Sequence, residues 1–507
     1  MHDMPDANFY HLISSRRPAD LSRPLIEWFD TLYSWADMEK TSAHFAAILT
    51  VLGCTKGDRV AAQIDKSPAA LFLYLACLRA GLVFVPINTA YRAAEVEYLL
   101  RDSRPSVIIT NQDQGNVALL EKLANSCGSS PVLTLTSEGS GSFSTRLPPV
   151  PYGLCPCAPD DMAAILYTSG TTGIPKGAML SHRNLAVNGE ALCKIWAFTE
   201  RDVLLHALPI FHTHGLFVAS HCVLLSGARM IWLPIFDSTQ VLVHLSRTTV
   251  FMGVPTYYVR LLSMPELTAE KCAHVRLFIS GSAPLQPETF LAFQRRTGHA
   301  ILERYGMTET GMNTSNPYQG TRRPGSVGKP LPDVSLRVVD SQNTPLPSGS
   351  IGVLHVFGDN VFLGYWQKDK KDGFTSDGWF ITGDLARIEK DQTITLIGRA
   401  NDLIISGGYN VYPREVEQVI NTLNGVVESA VIGLPHPDFG EAVAAVVQAE
   451  LKTRPAAESI LRFLRARLAN YKVPKIVVFV DELPRNSMGK VKKDLLKKAY
   501  ETIFTSL

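Results

Sequence analysis

The stretch Thr168-Ser169-Gly170-Thr171-Thr172-Gly173-Ile174-Pro175-Lys176-Gly177 follows the apolar run Ala163-Ala164-Ile165-Leu166-Tyr167, which reads as a strand. It precedes an amphipathic run that begins near Ser181-His182-Arg183-Asn184. Small hydroxyl residues interleaved with glycines put backbone N–H groups and hydroxyls on one concave surface. That surface suits phosphate oxygens, and Lys176 adds a point charge. The spacing is not the G-x-x-x-x-G-K-[ST] of a P-loop NTPase, because Gly177 stands where Ser or Thr would serve Mg²⁺. A flexible Gly/Ser/Thr linker is the plain alternative, but linkers rarely sit tightly between a strand and a helix.

Working outward, the first part of the chain alternates patterns. Residues 41–52 read as a helix, 60–64 as a strand, 69–80 as a buried helix and 83–87 as a strand; 95–102 and 106–110 repeat the pattern. Such alternation predicts βαβ units and parallel sheets. Residues 137–151 are rich in Gly, Ser and Pro and read as a surface loop. From about residue 325 the texture changes to short alternating strands with Gly and Pro turns, a smaller β-rich subdomain. Another break falls at Gly398-Arg399-Ala400-Asn401-Asp402. Beyond it, a helix over 413–423, strands over 428–433 and 442–451, a helix over 457–469 and a strand over 476–480 make a compact α+β unit.

The chain has 507 residues, beyond a single ordinary core. With 46% apolar and 19% charged residues it reads as soluble and globular. A net charge of +2 argues against a nucleic-acid partner, and the one dense basic cluster, Lys490 to Lys498, reads as a solvated helix face. No apolar run approaches the roughly 18 residues of a membrane span. The N-terminus lacks the basic start and apolar core of a signal peptide, so the expected compartment is the cytoplasm. The eight cysteines are scattered, and Cys155 and Cys157 lack a second pair for zinc; reduced, packed thiols are expected.

The phosphate-type loop resembles the signature of the adenylate-forming superfamily, which includes acyl-CoA synthetases, luciferases and peptide-synthetase adenylation domains. Other segments resemble its further signatures, in the family's order: Leu78-Arg79-Ala80-Gly81 leading to Val85-Pro86-Ile87-Asn88, Tyr305-Gly306-Met307-Thr308-Glu309-Thr310, Thr382-Gly383-Asp384, Gly398-Arg399 through Glu417, and Pro484-Arg485-Asn486-Ser487-Met488-Gly489-Lys490. The resemblance implies an α/β fold: a large N-terminal domain (1–400) of βαβ-type sheets plus a β-rich subdomain, then a small mobile α+β domain (401–507). It implies ATP, Mg²⁺ and coenzyme A, and adenylation of a carboxylic acid followed by thioester formation.

Roles follow by the same resemblance. Thr168, Ser169, Gly170, Thr171, Thr172, Gly173 and Lys176 would hold phosphates, with Thr171 and Glu309 toward Mg²⁺, a hard cation suited to oxygen ligands. Thr308 would touch the α-phosphate. Gly281, Ser282 and Ala283, followed by Pro284, would form the adenine shelf, with Glu303, Arg304, Tyr305, Gly306 and Met307 also on the nucleotide. Asp384 would accept both ribose hydroxyls, and Arg399 would touch ribose or phosphate. Lys490 would bridge carboxylate and α-phosphate; a compact ammonium on a flexible stem suits a charge delivered and then withdrawn. The small domain would rotate about Asn401, where relatives usually carry Asp or Lys. Segment Ser406-Gly407-Gly408-Tyr409-Asn410-Val411 would then face the site, with Gly408 leaving room for the pantetheine arm.

The acid pocket would be lined by Ile210-Phe211-His212, the helix after Gly253-Val254-Pro255-Thr256, and the segments near Ser280 and Gly306, with Met307 also on the acid. A fatty-acid enzyme keeps this region apolar, whereas His212 and His214 supply imidazoles and Arg260 falls about one turn after Thr256. Segments 253–260, 280–284 and 305–317 resemble malonyl-CoA synthetases. Arg260 would then bind the second carboxylate of a small diacid; capping its helix or pairing with Glu266 is the structural alternative. His212 joins Lys490, Thr308 and Glu309 as a candidate catalytic residue. Competing readings are a short- or medium-chain fatty acyl-CoA synthetase, an acyl-AMP ligase that loads a carrier protein, and a silent homologue. No Ser-centred phosphopantetheine motif follows Lys490, which favours free CoA.

Overall fold

The computed structural model of the chain describes residues 6–128, 130–145, 152–168, 175–369, 371–406, 409–437, 439–486 and 489–504. The apolar runs of the first part form strands buried on both faces, as parallel sheets require. In the strand Arg59–Gln63, Val60 and Ala62 enter one core while Ala61 enters another. The six-stranded sheet runs in the order Val132–Thr134, Val107–Thr110, Arg59–Gln63, Val83–Pro86, Met162–Thr168, Lys176–Ser181. All neighbours are parallel except the last pair.

A nine-stranded sheet faces it. Its middle strands, Leu302–Met307, Leu277–Ser280, Val250–Gly253, Val203–His206, Arg229–Trp232 and Pro24–Trp28, are parallel neighbours in that order. Alternation again divides the side chains: Leu204 joins the core between the sheets and Leu205 the core outside. The helix Pro68–Arg79 fills the shared core, with every residue from Pro68 to Leu78 buried; Ser67 caps it by accepting from the Ala70 amide. Helices Ala93–Ser103 and Gln114–Cys127 cover the outer face of one sheet, and Ser238–His244, Pro255–Leu262 and Pro287–Thr297 cover the other. The result is five alternating helix and sheet layers.

The strand Lys176–Ser181 corrects one expectation. The Gly/Ser/Thr loop joins two antiparallel strands, with Thr168 opposite Lys176, rather than a strand and a helix. Gly177 permits the pairing, since a Cβ there would lie 2.8 Å from Ile165 Cγ2. The helix His182–Ile195 begins only after this strand, and its first amides already donate to Asp161 O, Pro159 O and Ser181 Oγ.

The β-rich expectation holds: strands Ser335–Val339, Ile351–Phe357, Phe380–Ile388 and Ile394–Arg399 form an antiparallel four-stranded sheet. In the C-terminal unit the long hairpin Val426–His436/Gly440–Ala449 carries Ile476–Val480 in parallel. Its two faces bury separate cores under helices Pro413–Ile420, Ala457–Arg465 and Lys493–Tyr500. No helix among the described residues is long and apolar enough to cross a membrane.

Because Leu75 is wholly buried between the two sheets, Leu75→Ala should destabilise the protein by about 2–5 kcal/mol through lost transfer energy and a residual cavity. Chemical denaturation followed by tryptophan fluorescence checks this.

Candidate active site

Four parallel strands, Val203–His206, Val250–Gly253, Leu277–Ser280 and Leu302–Met307, end on the same edge of the nine-stranded sheet. Open α/β sheets bind ligands beyond such carboxyl ends. The loops that follow carry His212, Thr256 and Arg260, Gly281–Ala283, and Thr308 and Glu309, so topology collects residues scattered over about a hundred positions.

On one side the site is organised by Asp384. Tyr305 donates its hydroxyl to Asp384 Oδ2 at 2.5 Å, and Arg399 Nε meets Oδ1 at 2.9 Å. Arg399 also donates from Nη1 to Thr382 O at 3.1 Å, and Thr382 Oγ1 accepts from the Asp384 amide at 3.0 Å. Each carboxylate oxygen retains a lone pair for a further donor. Lys490 reaches solvent at the mouth of the site; crowding by the surrounding protein and the Arg399 charge lower its pKa, while Asp384 and Asp402 pull the other way. Its loop is docked on the large unit: a Cβ on Gly489 would lie 3.1 Å from Thr256 Oγ1. Within the loop, Asn486 Oδ1 accepts from the Lys490 amide at 2.9 Å.

Glu309 is buried, which raises its pKa, and its Oε1 accepts the Tyr365 hydroxyl at 2.9 Å. Lys176 Nζ lies 5.0 Å from the centre of the Tyr365 ring. Tyr365 thus joins the loop's lysine to the acidic residue, a contact that sequence reading missed because no periodicity marks an aromatic in Gly364-Tyr365-Trp366. Thr308 is half-buried beside Glu309. Among the described residues no three acidic, His or Cys side chains cluster for a metal. Magnesium held mainly by phosphate oxygens and water needs only one or two carboxylates, and Glu309 fits that donor set.

The other side of the site is lined by polar groups without partners. Ser280 Oγ, Thr213 Oγ1 and His214 Nε2 are buried and unbonded. His214 Nδ1 meets Ser282 Oγ at 3.1 Å, with Ser282 at a φ of 71°. Burial lowers both imidazoles, His212 to about 4, so both are neutral near pH 7. The segment His214–Ala219 is a π-helix, a local irregularity frequent at functional sites.

Arg304, expected on the nucleotide, lies against the Gly281–Ala283 segment. Its guanidinium lies under Gly281, where a Cβ would come within 2.3 Å of Cζ, and it shares an electrostatic environment with Tyr258 and His214. Arg304 is 3% exposed, its Nε and Nη2 have no hydrogen-bond partner, and burial pushes its pKa down to about 9. Arg260, expected inside the pocket, is exposed on the last turn of Pro255–Leu262, on the face it shares with Thr256. It forms no ion pair with Glu266. Met307 and Gly306 are half-buried at the end of their strand, and Ala283 is half-buried on its loop. Glu303 turns its side chain to the Leu285 amide, which donates to Oε1 at 3.2 Å. Thr168 closes the strand before the loop. Ser169, Gly170, Thr171, Thr172, Gly173 and Gly408 lie outside the described residues.

Comparison with known proteins agrees with this layout. Residues 18–366 match the AMP-binding enzyme family and residues 415–490 its C-terminal domain. Mitochondrial malonate–CoA ligase ACSF3 of Mus musculus is 37% identical, covering 89% of this chain and 84% of its own length. Feruloyl-CoA synthase of an Amycolatopsis species is 34% identical, covering 93% of this chain and 94% of its own. ATP-bound MatB from Rhodopseudomonas palustris superposes with a TM-score of 0.95 at 47% identity, over 98% of this chain and 100% of that one; its apo form, at the same identity and coverage, superposes at 0.82. The large layered unit, the small C-terminal unit and both family matches lead to one assignment: the chain belongs to the AMP-binding enzyme family.

Proposed function

We propose that this chain is an ATP-dependent acid–CoA ligase whose acid is malonate, built from a large unit (1–400) and a small mobile one (401–507). In the first half-reaction a malonate carboxylate oxygen attacks the α-phosphorus of ATP, forming malonyl-AMP and releasing pyrophosphate. In the second, the thiol of CoA attacks the acyl carbon, forming malonyl-CoA and releasing AMP. Kinship with malonate–CoA ligases and the superposition on ATP-bound MatB support both the reaction and the acid. The feruloyl-CoA relative is nearly as similar in sequence, so the choice of acid must rest on the pocket.

The observation that carries malonate is Arg304. A buried guanidinium without an anionic partner is costly, and the atoms Ser280 Oγ, Thr213 Oγ1 and His214 Nε2 also lack partners. A monocarboxylic chain would leave all of them unanswered. The distal carboxylate of a small diacid answers the guanidinium bidentately, with Arg260 adding an exposed charge at the rim. The neutral imidazoles of His212 and His214 bound the acid without competing as cations. Asp384 holds ribose and, through Tyr305 and Arg399, fixes the strand that delivers Thr308 and Glu309. Glu309 would hold Mg²⁺, which when bound neutralises phosphate charge. Lys490 brings its ammonium between two anions that otherwise repel, and leaves when the small unit turns to admit CoA.

Lys490→Ala should lower malonate-dependent ATP–pyrophosphate exchange by about two to three orders of magnitude, the usual cost of deleting a preorganised charge. Thioester formation from supplied malonyl-AMP and CoA should stay near wild type. Equal loss in both half-reactions would refute the placement of Lys490.

Arg304→Met should cost about 3–5 kcal/mol of selectivity for malonate over butyrate, the scale of breaking a buried charge pair. That is roughly two to four orders of magnitude in the ratio of kcat/KM values. Free-enzyme stability should hold or rise, because the substitution removes an uncompensated buried charge. Arg260→Met, an exposed charge, should cost about 1 kcal/mol or less. Parallel losses on both acids would make Arg304 structural and leave the malonate reading without support.

A further inference from the structure

The loop that carries His212, Thr213 and His214 is closed at its base by a buried chain of hydrogen bonds. His206 ends the strand Val203–His206, and its Nε2 meets Gly215 O at 2.9 Å, across the whole loop. A carbonyl oxygen can only accept, so Nε2 carries the ring proton and Nδ1 is left as an acceptor. Lys66 Nζ donates to that Nδ1 at 2.9 Å, and to His206 O and Leu233 O at 2.7 Å each. Three acceptors take all three protons of an ammonium. Nζ also lies 4.7 Å from the centre of the Trp232 ring, on which His206 stacks. Both Lys66 and His206 are buried. Burial, and then the Lys66 charge, hold His206 well below its ordinary pKa, in keeping with a neutral ring. Burial works against the Lys66 charge, while its acceptors and the ring face work for it.

Lys66 belongs to the other sheet. It follows the strand Arg59–Gln63 and stands just before Ser67, the cap of the helix Pro68–Arg79. The chain of bonds therefore runs from the six-stranded sheet, past two strand ends of the nine-stranded one, to the far end of the loop. There Gly215 O also takes the Ser220 amide, closing the wide turn of the π-helix, and the Ser220 hydroxyl at 2.9 Å. Gly215 packs so near the loop's own Pro209 that a Cβ would come within 2.1 Å of Pro209 O. A shift at Gly215 would pass directly to its neighbours Thr213 and His214, and so to the contact of His214 with Ser282. All three hydrogen-bond partners of Lys66 are neutral, so its charge costs stability that an apolar side chain would not.

We propose that Lys66 and His206 are positioning residues for the acid substrate. Their hydrogen bonds hold the loop between His206 and Gly215 in the shape that presents His212, Thr213 and His214 before the acid enters. Neither residue touches the reacting atoms. Lys66 acts through His206: with Nδ1 taken up as an acceptor, the proton stays on Nε2 and Gly215 is held. The nucleotide side of the site hangs on other groups, Asp384, Tyr305 and Arg399, so the Lys66–His206 pair bears on the acid and leaves ATP alone. Its link to the acid rests on the ligase reading above, which puts malonate on this side of the site.

The test is steady-state kinetics of Lys66→Met, His206→Asn and His206→Gln, with KM for malonate and KM for ATP measured separately. A glutamine amide reaches the Nε2 position and still donates to Gly215 O, whereas an asparagine amide reaches only the Nδ1 position and does not. Lys66→Met and His206→Asn should raise KM for malonate by about tenfold or more, the scale on which small misplacements act, with KM for ATP near wild type. His206→Gln should stay near wild type in both. A role in stability alone would lower the folded fraction and the apparent kcat while leaving both KM values unchanged, and that result overturns the proposal. Equal rises in the two KM values overturn it too, as does a glutamine variant no better than the asparagine one. Should Lys66→Met fail to fold, the comparison of asparagine with glutamine decides alone. A wild type that turns over butyrate but not malonate refutes the malonate reading and not the positioning role, which is then read from the same variants on butyrate. A wild type that activates neither acid refutes the ligase reading, and the positioning role with it.

Discussion

The carboxylate of Asp384 is the constraint on which the rest of the site depends. It sits on the β-rich sheet, yet one oxygen is held by Tyr305 of the nine-stranded sheet and the other by Arg399, at the end of the strand Ile394–Arg399. A single buried anion therefore joins the nine-stranded sheet to the last strand of the β-rich sheet. Short charge-assisted contacts of this kind fix geometry as well as adding energy. Moving Asp384 would displace the strand that presents Thr308 and Glu309, and would also alter the field at Lys490.

Around that anchor the charges fall into two classes. Some are compensated within the protein: Asp384 by Arg399, Glu309 by the Tyr365 hydroxyl. Others are left open, namely the guanidinium of Arg304 and the ammonium of Lys490, each lowered in pKa by its surroundings. A site that is to bring two anions together must keep cations uncommitted, and the cost of keeping them so is stability in the empty protein. In the proposed reading the substrates supply the missing counter-charges, which is why binding and correct placement coincide.

The layered fold was legible in the sequence because its sheets are buried on two faces: the short, mostly apolar runs at 60–64, 83–87 and 106–110 alternate with helical patterns. The β-rich texture after residue 325 and the C-terminal unit were legible for the same reason, since alternation and turn residues mark strands directly. The strand Lys176–Ser181 was not, because two backbone neighbours rather than a pattern of side chains stabilise it, and the glycine that permits the pairing reads as a loop residue. Motif resemblance located Asp384, Glu309 and Lys490 within one site, but it could not say which way a side chain on a strand turns. Arg304 and Tyr305 are adjacent, so they point to opposite faces; Tyr305 meets Asp384 and Arg304 lies under Gly281. Helical spacing and motif resemblance pointed to Arg260, which is exposed, and burial adds Arg304 as a candidate cation. Tyr365 meets Glu309 through a long-range contact that no local pattern announces.

A crystal structure of the protein with malonate and a non-hydrolysable ATP analogue tests the central claim most directly. The account predicts the distal malonate carboxylate on the Arg304 guanidinium and the Lys490 ammonium between the proximal carboxylate and the α-phosphate. An Arg304 side chain bonded to the nucleotide, or left unpaired with malonate bound elsewhere, would contradict it.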